Sequence, residues 1–189
     1  MNGLRLALLV TGFALAAQAS GFEPAKVTVA TGTIEYAFTP GDDAAGLIVR
    51  TIDAARVQVL VQAFSFTHRD IAEALIRAHR RGLDVQIVAD REQSDSMESA
   101  AMQSLVDAGL PVYTDAEHSA AHNKVIVIDH DSTQPALITG SFNFTFAAQN
   151  RNAENVLVLH GNPDLTRAFF ANWLQHREHA VAVVRRQSR

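Results

Sequence analysis

Strand-like and helix-like stretches alternate along this chain, which predicts an α/β fold: a mixed, largely parallel β-sheet flanked by helices on both faces. Three observations carry that expectation. Runs such as 125–128 (VIVI) are β-branched throughout, the composition of a strand buried on both sides. Segments between such runs place apolar residues at helical spacing, as Ile71, Leu75 and Ala78 do. Neither an internal repeat nor a low-complexity tract or linker interrupts the pattern, so one domain is expected.

The first segment stands outside that domain. Arg5 supplies a positive charge, residues 6–16 are apolar, and Ala17-Gln18-Ala19 fits the small-residue cleavage rule. The apolar stretch is short for a membrane span, which needs about 20 residues. Residues 1–19 therefore read as a cleaved secretory signal peptide, not an uncleaved anchor. Residues 20–189 are the mature domain, placed in the periplasm or secreted, with no stable membrane insertion after cleavage. Removing Arg5 takes the formal charge from −4 to −5. A mildly acidic chain argues against a DNA-coating role, though not against a nuclease with a local basic cleft. The absence of cysteine excludes a thiol nucleophile and a thiolate metal site.

Residues 20–33 form an exposed lead-in with an edge strand at 26–30, and a second strand follows at 33–38, ended by Pro40-Gly41-Asp42. Residues 45–55 have one apolar helical face, Leu47, Ile48, Ile52 and Ala55, and 57–64 is strand-like again. Thr67 is placed to cap the next helix, with Asp70 three residues on; Gly82 ends it after Arg77, Arg80 and Arg81. A short strand is expected at 85–89 and a helix at 95–108, stopped by Gly109 and Pro111. Strands follow at 125–128, 136–139 and 155–159. Pro163 and Asp164 open a last helix reaching about His179, with Leu165, Phe169, Trp173 and Leu174 as its core stripe. The basic tail 185–189 reads as a frayed, solvated end.

Chemistry concentrates in residues 121–155. His122 and Lys124 are two residues apart at the start of a strand, so an imidazole and an ammonium project from one face. The next strand delivers Gly140-Ser141-Phe142-Asn143, and the third is preceded by Glu154. Such a set suits phosphoryl transfer. A neutral imidazole can attack phosphorus covalently; a Lys charge with Ser and Asn donors can stabilise the non-bridging oxygens; a carboxylate can fix the imidazole tautomer. None of this requires a metal. Asp129 lies seven residues from His122, an odd spacing that turns it to the other face of a strand, and it reads as a structural or turn residue.

The pattern His122-x-Lys124, four residues, Asp129, then Gly140-Ser141-x-Asn143 resembles the signature of the phospholipase D superfamily. The likeness is close to its small bacterial endonucleases. It extends through VQAFSFTHRDIAEAL, RRGLDVQIVAD, HNKVIVID, GSFNFTFAAQNRNAEN and FFANWLQHRE, roughly residues 40–178. It implies a phospholipase D-like sandwich with His122, Lys124, Asn143, Glu154 and Ser141 in the catalytic site, and Asp129 and Gly140 as structural members of the motif. Glu154 would orient the nucleophilic imidazole. No cofactor is implied. Ten residues (130–139) separate Asp129 from Gly140, more than the usual signature has; 130–135 is rich in turn formers and reads as a longer hairpin loop placed near the cleft.

The family brings two His-x-Lys motifs together across a pseudo-twofold axis, whereas this chain has one. A covalent mechanism needs a second group to protonate the leaving oxygen and then activate water. A homodimer with one composite cleft is therefore expected, His122 of one subunit attacking and that of the other serving as acid, then base. The leading function is an exported, metal-independent phosphodiesterase, a non-specific endonuclease that cleaves DNA with low sequence preference. The alternatives are a lipase-type phospholipase D and a catalytically dead phosphate-binding module. A serine hydrolase is excluded because Gly140-Ser141-Phe142-Asn143 lacks the second elbow glycine. His68, His118 and His130 have no metal-ligand spacing and are expected to be solvent-exposed.

Overall fold

The computed structural model describes residues 23–96 and 99–183; the expected signal segment 1–19 and the basic tail 185–189 lie outside them. Eight strands form one sheet: β1 (Thr33–Thr39), β2 (Gln58–Ala63), β3 (Asp84–Asp90), β4 (Val112–Asp115), β5 (Lys124–Ile128), β6 (Ala136–Gly140), β7 (Glu154–His160) and β8 (Val181–Ala182). Their spatial order is β1-β7-β6-β5-β2-β3-β4-β8. Among the described residues there are six helices: α1 (Ala44–Ala54), α2 (Arg69–Arg80), α3 (Arg91–Ser96), α4 (Ala100–Asp107), α5 (Phe146–Asn150) and α6 (Pro163–His179).

The α/β class and the single mixed sheet match the sequence expectation, but the sheet is less parallel than expected. Only β2–β3 and β3–β4 are parallel. The other five pairings are antiparallel, β5 and β6 as a hairpin and β6 and β7 joined through the short α5.

Helices cover both faces. On one, Ile48 and Ile52 of α1, Ile71 and Leu75 of α2 and Leu105 of α4 meet Val59, Val61, Ile87, Ile126 and Ile138 of the sheet. On the other, α6 presses Trp173 onto Leu60, Val88, Val125, Val127 and Leu137, with Leu165, Phe169 and Phe170 at its margin. Consecutive residues of β5 thus serve opposite cores, which is why that strand is apolar throughout rather than alternating. Trp173 satisfies its buried indole N–H on the Val61 carbonyl at 3.1 Å.

Several local expectations are corrected. Residues 26–30 pair with no strand, and Val27 and Val29 are exposed. The cap position of α2 is His68, without a side-chain cap; Thr67 instead donates its backbone N–H to Phe144. The helix expected at 95–108 is divided: α3 ends at Ser96, and α4 starts afresh with Ser99 accepting from Met102. Leu174 is exposed, and Phe170 takes its expected place against the core. Strands β4 and β8 and helix α5 are too short for a periodicity to show.

Candidate active site

β5 enters the sheet at Lys124, and the residues before it lie at the ends of β2 and β3. Ala63 of β2 is the register partner of Lys124, and the Phe64 N–H donates to the Asn123 carbonyl at 2.9 Å. This fixes the backbone on which His122 is mounted. The His122 ring is exposed and packs against Phe64, with ring centroids 4.2 Å apart. Lys124 is buried, yet its Nζ turns back to the imidazole: it lies 3.0 Å from Nδ1 of His122 and donates to the His122 carbonyl at 2.8 Å. The ammonium also sits 4.7 Å from the centre of the Phe64 ring. Burial lowers the Lys124 pKa to about 8, against the opposing pull of the Glu154 charge.

β6 runs antiparallel to β5 and delivers its C-terminal end beside Lys124. Gly140 is required there: its φ is +152°, and a Cβ would collide with the Asn155 carbonyl. That close approach brings Ser141 onto β7, where its hydroxyl donates to Oε2 of Glu154 at 2.6 Å and accepts from the Asn155 N–H at 3.1 Å. Asn152 donates to the other Glu154 oxygen at 3.0 Å. Asn143 is half-buried, and its Oδ1 has no hydrogen-bond partner among the described residues. Phe142 and Phe144, between and after the polar residues, are fully buried and anchor the segment.

His122 and Lys124 are thus in contact, and Ser141 and Glu154 form a second contact on the adjacent strands. Among the described residues no hydrogen bond joins Glu154 to His122; Nδ1 of His122 faces Lys124 instead. Asp129 is remote from all of them, at the far end of β5. Its φ is +49°, and its carboxylate accepts from the N–H groups of Arg56, Val57 and Gln58 at 2.8–2.9 Å. The long 129–135 turn is at that same far end, since β5 begins next to His122 and finishes at Ile128. The expectation that this loop borders the cleft is therefore wrong: a hairpin puts its loop at the end opposite the strand start.

Of the histidines expected to be solvent-exposed, His118 is exposed, whereas His68 and His130 are not. His68 is buried, which lowers its pKa against the fields of Asp70 and Asp43. His130 stacks on Phe170 with centroids 3.6 Å apart. His118 meets His176, His179 and the buried Asp115, a group with metal-ligand character that the sequence reading missed. The available signal was His176-x-x-His179, an i, i+3 pair on a helix.

An imidazole held by an ammonium, with hydroxyl, amide and carboxylate groups on the neighbouring strand ends, is an arrangement suited to phosphodiester chemistry, since an imidazole can attack phosphorus and a cation can stabilise its oxygens. Comparison with known proteins gives the family. Residues 48–176 match the model of the cardiolipin synthase, PLD-like domain. The chain is 37% identical over 144 residues to phospholipase D of Rickettsia conorii, covering 76% of this chain and 69% of that one. It is 30% identical to human mitochondrial cardiolipin hydrolase, over 62% of this chain and 45% of that one. Among solved structures, Nuc from Salmonella typhimurium, a phospholipase D family member, superposes with a TM-score of 0.76 at 33% identity, covering 80% of this chain and 98% of Nuc. NucT from Helicobacter pylori shares the fold, with a TM-score of 0.70. The chain belongs to the phospholipase D superfamily, in its small, Nuc-like form, and is a hydrolase of that family.

Proposed function

We propose that this protein is an exported endonuclease that cleaves DNA through a phosphohistidine intermediate in a homodimeric site. The observation that carries the chemistry is the 3.0 Å contact between Lys124 Nζ and His122 Nδ1. With Nδ1 occupied as a donor to a neutral Lys124, Nε2 bears a lone pair and is a nucleophile. With a charged Lys124 donating to Nδ1, Nε2 carries the proton and is an acid. A Lys124 pKa of about 8 keeps both forms accessible near neutral pH. In the first step His122 Nε2 bonds to phosphorus and the P–O bond to the leaving oxygen breaks, that oxygen taking the proton of the second subunit's imidazole. In the second step water attacks, giving its proton to that imidazole, and the N–P bond breaks. Ser141 and Asn143 are assigned to the phosphate oxygens, and Glu154 to electrostatic support of the cationic pair.

Two features support the dimer. His122 is exposed, so the second imidazole can reach its substrate from outside the chain. The edge strand β1 and its neighbour β7 also leave Ile34, Tyr36, Phe38 and Leu157 exposed on one face, in register with the strand that carries Glu154. Similarity to nearly the whole of Nuc supports the nucleic-acid substrate. The Rickettsia relatives named phospholipase D support a second reading, hydrolysis of phospholipid headgroups. No helix of the described residues is long and apolar enough to cross a membrane.

The deciding assay uses the chain from Ser20 onward, in excess EDTA, on plasmid DNA, single-stranded DNA and phosphatidylcholine vesicles, with His122→Ala beside it. Cleavage of DNA by the unsubstituted chain alone is expected. Activity confined to the vesicles would transfer the function to the lipid reading. Cleavage that requires Mg²⁺ would refute the phosphohistidine route.

A further inference from the structure

A second group of reactive side chains lies beyond β3, on the other side of the sheet order from β5 and β6. Asp115 ends β4, His118 follows in the β4–β5 loop, and His176 and His179 occupy the last turn of α6. One ligand atom from each lies within 4.8 Å of all the others. Three imidazole nitrogens converge on a single oxygen, Oδ2 of Asp115: Nδ1 of His176 at 2.8 Å, Nδ1 of His118 at 3.1 Å and Nε2 of His179 at 3.1 Å. Bonds of about 2.0–2.1 Å to a tetrahedral Zn²⁺ set ligand atoms about 3.3 Å apart, close to these separations.

Two details favour a cation over a hydrogen-bonded cluster. Nε2 of His179 is buried and, despite its 3.1 Å distance, is not aligned to hydrogen-bond with Asp115 or any other described group. Its other nitrogen, Nδ1, lies 3.2 Å from the Glu117 carboxylate. With the proton on Nδ1, beside that carboxylate, the Nε2 lone pair would turn inward, the arrangement that orients metal-bound histidines. In that tautomer a lone pair faces a fully buried carboxylate oxygen, an opposition that a cation between them would resolve. Imidazole and carboxylate together suit Zn²⁺.

We propose that Asp115, His118, His176 and His179 form a structural Zn²⁺ site that ties the C-terminal end of α6 to the β4–β5 loop. The loop matters because it leads into the catalytic strand. Its Ala121 N–H donates to the buried Asp90 carboxylate at 2.8 Å, and Asp90 is the register partner of Asp115. The metal and that hydrogen bond fix both ends of the segment on which His122 follows. Four protein ligands leave no open coordination position, so the ion takes no part in phosphoryl transfer.

The test is metal content of the full chain, made without a polyhistidine tag, exposed to Zn²⁺ and passed over a chelating resin. About one Zn²⁺ per chain is expected, with Co²⁺ substitution giving the visible bands of a tetrahedral site. Melting temperature should rise about 5–10 °C at free Zn²⁺ near a hundred times Kd. A His118→Ala/His179→Ala chain, still folded by circular dichroism, should lose both responses, whereas His122→Ala should keep them. Metal well below one equivalent in the unsubstituted chain overturns the site. So does full metal binding in the double variant, or loss of metal in His122→Ala, which would place the ion in the catalytic centre. None of these readouts depends on nuclease activity.

Discussion

Lys124 shows at a single residue how a buried charge opposes stability. Its ammonium is buried beside an imidazole, and burial depresses its pKa from 10.5 to about 8. Between pH 8 and 10.5 the unfolded chain binds this proton more tightly than the folded one, so stability rises with pH across that window. Below pH 8 both states are protonated and the folded state bears the cost, about 1–2 kcal/mol after solvent screening of the ammonium. Lys124→Met should therefore cost the fold little at pH 7, within about 1 kcal/mol, because the relieved burial of the charge offsets the lost bond to the His122 carbonyl. It should also flatten the rise between pH 8 and 10.5. Turnover should fall about 10²–10³-fold, the scale for losing a group that stabilises developing charge. Urea denaturation at pH 7 and pH 9.5, with turnover on the same samples, checks both halves. A strongly destabilised, active Lys124→Met would contradict this account of the site.

At the scale of elements, the β5–β6 hairpin separates two tasks. Its open end holds His122, Lys124 and Ser141; its closed end holds Asp129 and the long turn. Asp129 binds three consecutive backbone N–H groups at the start of β2, so one carboxylate ties the α1–β2 connection to the hairpin. Bonds from amides to a buried charged acceptor are among the stronger ones, and removing the acceptor leaves the donors unpaired. Asp129→Ala should cost about 2–4 kcal/mol of stability while leaving the kcat of the folded enzyme unchanged. Thermal denaturation combined with active-site titration would separate these effects. A large loss of kcat at full folding would give Asp129 a role in the chemistry that its position at the opposite strand end does not explain.

For the whole molecule, the proposed dimer turns one motif into a complete catalytic pair. The exposed Tyr36, Phe38 and Leu157 lie on the face of β1 and β7 that α1 leaves uncovered, and Phe38 is the register partner of Asn155, next to Glu154. A carboxylate in the middle of that patch would have to be desolvated on association. Phe38→Asp should give a monomer by light scattering, with activity reduced at least about 10²-fold, the usual contribution of a general acid. A fully active monomer would show that one His122 suffices and that the patch serves another purpose.

Much of this was legible in the sequence because it is encoded by period. Runs of β-branched residues specified β2, β3 and β5, and spacing of three and four specified α1, α2 and α6. The i, i+2 spacing of His122 and Lys124 set a cation beside an imidazole, and odd spacing turned Asp129 away from them. Short elements such as β4, β8 and α5 have too few residues to show a period. Strand direction was undetermined for a different reason: a strand buried on both faces is apolar whether its neighbour runs parallel or antiparallel. The place of the long hairpin loop, the contact of Ser141 with Glu154, and the meeting of His118 with His176 and His179 depend on which strands become neighbours. Those contacts join residues far apart in the chain, and only the packed sheet with α6 laid across it brings them within bonding distance.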